Sequence, residues 1–179
     1  MLRDPVASRT ATTEINMSEQ RIGIIMNGVT GRMGTNQDLV RSILALREQG
    51  GVKCGEGTIM PDPILTGRNE DKLRALAKQY GVEKFSTDLD TVLADDSYSI
   101  FFDASGTPYR IPFLERAIAA GKDIYCEKPT ASSYEVALGI SEKAEAAGVK
   151  NGTVQDKLWL PGIQKFVAFR DQGFFGEIL

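Results

Sequence analysis

Short apolar runs alternate along this chain with longer segments in which apolar residues recur every three or four positions. The short runs predict strands at 21–26, 63–67, 84–86, 99–104, 123–127 and 151–155. The amphipathic segments predict helices at 32–48, 70–79, 88–94, 109–120 and 133–147, and a last helix ending at Gly173. Because strand and helix alternate regularly, we predict an α/β fold, a doubly wound, mostly parallel six-stranded sheet with helices on both faces.

Turn and capping residues mark the ends of several of these elements. Asp88 precedes one helical segment as an N-cap, and Pro108 lies near the start of another. Gly121 and Gly148 follow two helical segments as C-cap glycines. The glycine-rich segment "EQGGVKCGEGTIMPDP", between the first helix and the second strand, is expected to be a plain surface loop.

Composition narrows the class of protein and partner. The chain has 179 residues, 42% of them hydrophobic and 25% charged, which suits one well-buried core. Its net charge of -3 comes from 21 basic and 24 acidic residues without a basic stripe, so we expect a small-molecule partner and no nucleic acid. No segment approaches the roughly 20 apolar residues that cross a bilayer, and the N-terminus lacks the apolar block of a secretory signal.

The absence of histidine limits the chemistry open to the chain. Proton transfer would fall to Lys, Asp, Glu, Tyr or Cys, and no metal site is predicted. Cys54 and Cys126 are too few and too far apart for a disulfide framework or a zinc site. A reducing compartment suits these cysteines best, so we expect a cytoplasmic protein.

The segment "NGVTGRMG", residues 27–34, follows the first predicted strand and opens the first predicted helix. In this position backbone N–H groups and the helix dipole favour a pyrophosphate, and glycines permit the tight turn, the close approach of the phosphate and the close packing of the helix. The loop is one residue longer than G-x-G-x-x-G, so a hydroxyl and a guanidinium can also face the phosphates. The predicted phosphate-binding residues are Gly28, Thr30, Gly31, Arg32, Met33 and Gly34.

The end of the second predicted strand bears on which dinucleotide is bound. An NAD site usually places a carboxylate here, whereas an NADP site offers a cation to the 2'-phosphate. In "ILTGRNEDKL" the carboxylate position is Gly67, followed by Arg68 and Asn69. This pattern can accept a phosphate and carries no anion to repel it, so we predict NADP in preference to NAD. The alternative is that Arg68 is an ordinary surface cation at a helix start.

Two later segments end predicted strands at the edge where ligands of open α/β sheets bind. In "IFFDASGTPYR" a turn of small residues lets the nicotinamide-side ribose approach the backbone. The residues of this turn are Ala104, Ser105, Gly106 and Pro108.

In "DIYCEKPTA" a lysine stands between an acidic residue and a proline. Lys128 is fixed by the stiff Pro129 after it, and its neighbour Glu127 is assigned to the cofactor side. An ammonium here could hydrogen-bond a substrate hydroxyl and carry its proton as hydride leaves. Lys128 is therefore the candidate catalytic residue, although an isolated E-K-P tripeptide is usually only a turn.

Together these segments resemble the Gfo/Idh/MocA family of NAD(P)-dependent oxidoreductases, from about residue 20 to the end of the chain. The most specific part is "GKDIYCEKPTA". The resemblance implies an N-terminal Rossmann domain, a second α/β domain, a sugar or polyol substrate, and a position for Lys128 between nicotinamide and substrate. More loosely, "VQDKLWLPGIQKF" resembles the segment after the sixth strand, which implies that Lys157 faces the substrate and that Trp159 shapes the wall.

The resemblance also sets the expected domain boundaries. We expect residues 1–20 to be a disordered leader, 21–173 the dinucleotide-binding Rossmann domain, and 174–179 the start of a C-terminal domain that this chain lacks. Such a chain would hold most of a cofactor site but be incomplete for turnover by itself. Apolar surface left exposed would favour a homo-oligomer.

Two other interpretations stay open. The "GRMG" that follows the first strand also resembles the cofactor loop of dihydrodipicolinate reductases. That resemblance gives "EKP" no role, and the catalytic histidines of that family are absent. The third interpretation is a non-catalytic NADP-binding or interaction module, which dinucleotide titration and turnover assays would separate from an enzyme.

Overall fold

The computed structural model describes residues 19–177. The strands are β1 (Glu19–Asn27), β2 (Val52–Cys54), β3 (Gly57–Thr66), β4 (Lys84–Ser86), β5 (Tyr98–Asp103), β6 (Asp123–Cys126) and β7 (Asn151–Thr153). The helices are α1 (Gly34–Leu44, continued by Ala45–Glu48), α2 (Glu70–Tyr80), α3 (Leu89–Leu93), α4 (Thr107–Ala119), α5 (Tyr134–Ala146) and α6 (Pro161–Asp171). Most of the predicted leader lies outside the described residues, but its last two residues, 19 and 20, belong to β1.

Six of the strands run parallel in the order β4-β3-β1-β5-β6-β7. With β2 set aside, this is the order 3-2-1-4-5-6 of a doubly wound sheet, so the predicted fold class is confirmed. The chain builds outward from β1 in one direction through β3 and β4, then returns to add β5, β6 and β7 on the other side. Ligands of open α/β sheets bind at this reversal, beyond the carboxyl ends of β1 and β5.

The glycine-rich segment predicted as a plain loop forms β structure instead. β2 pairs antiparallel with the start of β3, with Val52 opposite Ile59, so the sheet has seven strands and β3 begins well before the predicted residue 63. Pro61 and Pro63 obscured this strand, because proline cannot donate to a sheet ladder. The structure accommodates both, since the outer edge of β3 pairs with β2 only up to Ile59 and with β4 only from residue 64.

The first helix is wound more widely than an α-helix over Gly34–Leu44, which is a π-helix. The N–H of Ala45 donates to the carbonyl of Val40, five residues earlier. The Ser42 hydroxyl likewise donates to the Gln37 carbonyl at 2.8 Å. Hydrophobic periodicity predicted the helix but does not distinguish its winding, and π turns are frequent at functional sites.

Helices cover both faces of the sheet, as predicted. Consecutive residues of β5 show this, because Phe101 packs in the cluster under α3, α4 and α5 while Phe102 packs in the cluster under α1 and α2. The last helix, α6, has no buried residue, and its Phe166 and Phe169 pack on Phe175 and Phe174, which follow the helix. Within residues 19–177, no helix is both long and apolar enough to cross a membrane.

Candidate functional site

The segments identified from sequence begin at one edge of the sheet. Backbone hydrogen bonds extend the strand pairing one residue past the strand ends, which fixes the starts of four loops side by side. These bonds run from Gly28 N–H to Thr66 O (3.1 Å), Ala104 N–H to Asn27 O (2.9 Å), Glu127 N–H to Asp103 O (2.9 Å) and Val154 N–H to Cys126 O (2.9 Å). The glycine loop is thus flanked by the turns after β3 and β5, and the turn carrying Lys128 follows next.

Two of the three loop glycines are required by the protein's own packing. Gly28 has a φ of 74°, and a Cβ there would lie 2.7 Å from the backbone nitrogen of Ser105. A Cβ on Gly34 would lie 2.8 Å from the Cα of Val29 and 3.0 Å from the Cβ of Ala104. These contacts match the predicted roles of a tight turn and close helix packing.

Gly31 is different, because the protein does not fill the space beside it. A Cβ there would meet only the Gly28 carbonyl oxygen, at 3.8 Å, and the residue is exposed. The neighbouring Thr30, Arg32 and Met33 are exposed as well. An open backbone cradle with a hydroxyl and a guanidinium at its rim fits a pyrophosphate.

The loop is held in shape by Thr35, which sequence reasoning did not select. Its hydroxyl donates to the carbonyl of the buried Val29 at 2.6 Å, and its N–H donates to the Gly31 carbonyl at 2.8 Å. Both bonds tie the loop to the start of α1. The loop therefore reaches the helix in one fixed geometry, with its outer residues facing solvent.

A buried polar network underlies this edge and was also missed. Asp103, fully buried at the end of β5, accepts from Asn27 Nδ2 at 2.7 Å, and Asn27 Oδ1 accepts from the Thr66 hydroxyl at 3.2 Å. The other Asp103 oxygen accepts from the Ser105 N–H at 3.2 Å and the Ser105 hydroxyl at 2.7 Å. Asp103 follows the apolar residues of β5, and this position could have indicated the network, because a buried carboxylate requires hydrogen-bond partners.

Arg110 on α4 completes the network. Its Nε donates to Asp103 Oδ2 at 3.0 Å, its Nη2 donates to the Ser105 carbonyl at 2.7 Å, and its Nη1 donates to the Pro129 carbonyl. The guanidinium thus contacts the turns after both β5 and β6. Of the other residues predicted in the β5 turn, Gly106 caps α4 and Pro108 lies in its first turn.

The turn after β3 carries Arg68 and Asn69, as predicted. The Arg68 guanidinium is exposed and lies 5.9 Å from the centre of the Tyr109 ring, within the range of a cation–π contact. Asn69 has a structural task, because its side-chain oxygen accepts the Lys72 N–H at 2.9 Å and caps α2. Arg68 therefore presents an exposed guanidinium beyond the carboxyl end of β3.

The candidate catalytic and substrate residues lie beyond β6 and β7. Lys128 is exposed, and its N–H donates to Glu127 Oε2 at 3.1 Å. Lys157 is exposed and pairs with Asp156 at 3.6 Å, and Trp159 is 75% exposed. A cavity of about 830 Å³ between α1 and the last strands is lined by Met33, Glu127 and Trp159, but by neither lysine.

The same cavity is lined by Asp38 of α1, which the sequence did not single out. Asp38 is 8% exposed, and its Oδ2 has no hydrogen-bond partner within residues 19–177. Burial, reinforced by the adjacent Glu127 carboxylate and the more distant Asp156, raises the pKa of Asp38 to about 7. Protonation of Asp38 supplies a hydrogen-bond donor for this unpaired oxygen. The protonated carboxyl can then donate to the neighbouring Glu127 carboxylate.

Comparison with known proteins gives this geometry a context. Residues 63–154 match Gfo/Idh/MocA, an oxidoreductase family with an NAD-binding Rossmann fold. A D-xylose dehydrogenase from Paenarthrobacter nicotinovorans is 48% identical over 159 residues, which cover 88% of this chain and 41% of that protein.

Solved structures share the fold at lower identity. An NAD binding oxidoreductase from Klebsiella pneumoniae superposes with a TM-score of 0.72 and 24% identity, over 88% of this chain and 40% of that one. A levoglucosan dehydrogenase in complex with NADH and levoglucosan superposes with a TM-score of 0.75 and 19% identity, over 89% of this chain and 42% of that one. The chain spans about two-fifths of the length of these relatives. It belongs to the Gfo/Idh/MocA oxidoreductase family and carries that family's NAD-binding Rossmann fold.

Proposed function

We propose that this chain is the NADP-binding part of an oxidoreductase that transfers hydride between a nicotinamide cofactor and a sugar- or polyol-like substrate. The observation that carries the proposal is the common edge. The open cradle at Gly31, the exposed guanidinium of Arg68 and the amine of Lys128 all follow strands that end side by side. This is where an open α/β sheet binds its ligands.

Each segment has a distinct task toward the cofactor. Backbone N–H groups of the glycine loop hold the pyrophosphate, and the compact Ala104–Gly106 turn admits the nicotinamide-side ribose. Arg68 binds the 2'-phosphate of NADP, because no carboxylate precedes it at the end of β3 to repel that group. The Tyr109 ring supports the guanidinium from the side of α4. A bound nicotinamide supplies or accepts the hydride.

Lys128 does the acid–base work of the reaction. In the oxidation direction the neutral amine accepts the hydroxyl proton of the substrate as hydride leaves the adjacent carbon, and in reduction the ammonium returns it. Lys128 is proposed for this step because its exposed side chain follows β6 at the ligand-binding edge of the sheet. The substrate class rests on the relatives, which act on D-xylose and levoglucosan according to their names.

Lys157 and Trp159 belong to the substrate side of this proposal. Trp159 offers a large exposed ring, and Lys157 lies within a turn of it. Since the chain corresponds to about two-fifths of its relatives, we also propose that efficient turnover needs substrate contacts from further protein surface.

Dinucleotide titration followed by a turnover assay tests the proposal. Calorimetry on the purified chain should show NADPH binding about tenfold or more tighter than NADH. Lys128→Ala should bind NADPH with wild-type affinity and, in a full-length protein, abolish xylose-dependent formation of reduced nicotinamide. NADPH binding without turnover even in a full-length protein supports the non-catalytic module, while equal affinity for both dinucleotides contradicts the role of Arg68.

We propose two further properties from the surface. Phe166 and Phe174 are exposed around α6, and an apolar surface of this kind favours self-association into a homo-oligomer. Sedimentation velocity at several concentrations measures this directly. Cys54 is exposed and, like the buried Cys126, is a free thiol, which suits the cytoplasm.

A further inference from the structure

We propose that Arg110, a buried residue of α4 to which no role in cofactor binding was assigned, is the positioning residue for Lys128. Its guanidinium holds the turn that carries Lys128 in a fixed relation to the turn that borders the glycine loop. This inference rests on the proposed role of Lys128, and the experiment below separates the two.

Burial gives the guanidinium a single orientation. Arg110 is 2% exposed and Asp103 is fully buried, and Nε lies 3.0 Å from Asp103 Oδ2. The carboxylate is itself fixed, because its other oxygen accepts from Asn27 at 2.7 Å. Through Asp103 and Asn27, Arg110 is thus anchored to the ends of β5 and β1. These are the two strands between which the strand order of the sheet reverses.

The two remaining donor groups reach carbonyls in different turns. Nη2 donates to the Ser105 carbonyl at 2.7 Å, and Nη1 donates to the carbonyl of Pro129, the residue after Lys128. Ser105 in turn borders Gly28 so closely that a Cβ there would lie 2.7 Å from the Ser105 nitrogen. One side chain therefore connects the wall of the phosphate loop to the turn that presents the amine.

Lys128 depends on this connection because its own side chain is exposed. Its local contact is the bond from its N–H to the adjacent Glu127 carboxylate. A group that exchanges a proton with substrate must be held within a fraction of an ångström of its working position. Arg110 provides that constraint through the backbone.

Arginine is required for the task rather than a positive charge alone. A planar guanidinium presents five N–H donors in fixed directions and can serve a carboxylate and two carbonyls at once. The ammonium of Arg110→Lys can still pair with Asp103 but cannot span to both carbonyls. This variant keeps the buried charge balanced while releasing the Pro129 carbonyl.

Arg116 provides the matched control on the same helix. It pairs with Asp90 at 2.5 Å in an ion pair that is half-buried at Arg116 and exposed at Asp90, and its side-chain hydrogen bonds go to Asp90 rather than to either turn. Arg116→Lys therefore makes the same chemical change without touching the proposed connection.

The experiment is an amine footprint on the whole 179-residue chain. Wild type, Arg110→Lys and Arg116→Lys are acetylated with and without saturating NADPH, and the rate at Lys128 is followed by mass spectrometry. Lys78, exposed near the end of α2, is the internal reference. Thermal unfolding and calorimetric NADPH affinity are measured on the same samples.

We expect NADPH to slow acetylation of Lys128 about tenfold in wild type and in Arg116→Lys. In Arg110→Lys the slowing should be less than about twofold, while the NADPH affinity of that variant stays within about threefold of wild type. Full protection of Lys128 in Arg110→Lys would overturn the role of Arg110. Absent protection in wild type, despite NADPH binding, would instead contradict the placement of Lys128 in the proposed function.

A second variant covers the case in which Arg110→Lys does not fold. Asp103→Asn/Arg110→Gln replaces the buried ion pair with neutral hydrogen-bonding groups, and its shorter Gln side chain leaves the Pro129 carbonyl uncontacted. The same loss of Lys128 protection with retained NADPH binding is expected. If both variants lose fold and NADPH binding together, Arg110 is a purely structural residue and the proposal is wrong.

Discussion

A Cβ on Gly28 would lie 2.7 Å from the backbone nitrogen of Ser105, so the phosphate loop and the turn after β5 meet backbone to backbone. Three residues later, a Cβ on Gly31 would meet nothing closer than 3.8 Å. The loop therefore contains two glycines that the fold requires, Gly28 and Gly34, and a third, Gly31, beside which the protein leaves open space.

This contrast predicts opposite effects for two similar substitutions. Gly28→Ala should lower the free energy of unfolding by roughly 2 kcal/mol or more, because it combines a positive φ with a backbone clash. Gly31→Ala should change it by less than about 0.5 kcal/mol and weaken NADPH binding about tenfold or more. Urea denaturation and calorimetry measure the two quantities.

Gly139→Ala is the control for both variants. It lies in α5 with no atom within 4 Å of an added Cβ, so it should stabilise the protein by about 0.5–1 kcal/mol and leave NADPH binding unchanged. Wild-type NADPH affinity in Gly31→Ala would contradict the assignment of the loop as a phosphate site.

Asn69 allows the charge preference to be tested without disturbing the helix. Its side chain caps α2, and both Asp and Ser are good N-caps, so Asn69→Asp and Asn69→Ser should each keep stability within about 0.5 kcal/mol of wild type. Only Asn69→Asp adds a negative charge beside Arg68. We expect it to weaken NADPH about tenfold while leaving NADH nearly unchanged. Equal loss of both dinucleotides would place the 2'-phosphate elsewhere.

Arg68 itself should set the difference between the two cofactors. Arg68→Ala removes the cation after β3 and should lower NADPH affinity about tenfold or more, with little effect on NADH. Arg74→Ala, on the helix that follows Arg68 and paired with Glu70, is the control and should affect the affinity for neither dinucleotide. Calorimetric titrations of both variants with NADPH and NADH measure these affinities. An unchanged NADPH affinity in Arg68→Ala would mean that Arg68 is an ordinary surface cation.

The parts of the fold that the sequence predicted correctly are those specified by local pattern. The strand ahead of "NGVTGRMG" and the helix after it, the Asp88 cap and the glycine at 121 are short-range features, and the structure confirms them. The hairpin of β2 was missed because Pro61 and Pro63 usually argue against a strand. Their tolerance depends on where β2 and β4 stop pairing, which is a property of the assembled sheet.

The residues of the candidate site divide in the same way. The glycine loop is recognisable from a motif of neighbouring residues. The hydrogen bonds of Asp103 and Arg110, in contrast, also join groups that are distant in the chain and meet only in the folded protein. Asp38 is a clearer case still. In the sequence it is one acidic residue on an amphipathic helix, and only the structure shows it buried against Glu127.

Asp38 predicts a pH dependence of stability whose sign follows from its raised pKa. The group titrates near its ordinary value of 3.8 in the unfolded chain and at about 7 in the folded one, so between these values the folded state binds more protons. The free energy of unfolding therefore falls as pH rises through this window. The loss is complete above the folded pKa and amounts to at most about 4 kcal/mol.

Asp38→Asn should remove this dependence. The amide can donate to the Glu127 carboxylate as the protonated acid does, and it has no proton to lose. We expect the variant to match wild type near pH 3 and to exceed its stability by about 2 kcal/mol near pH 5 and about 4 kcal/mol near pH 8. Urea denaturation across this range measures the difference, with Asp71→Asn on the exposed face of α2 as control. Parallel pH profiles for Asp38→Asn and wild type would contradict this prediction. They would mean that Asp38 ionises in the folded protein at no cost in the free energy of unfolding, and hence that it does not share a proton with Glu127.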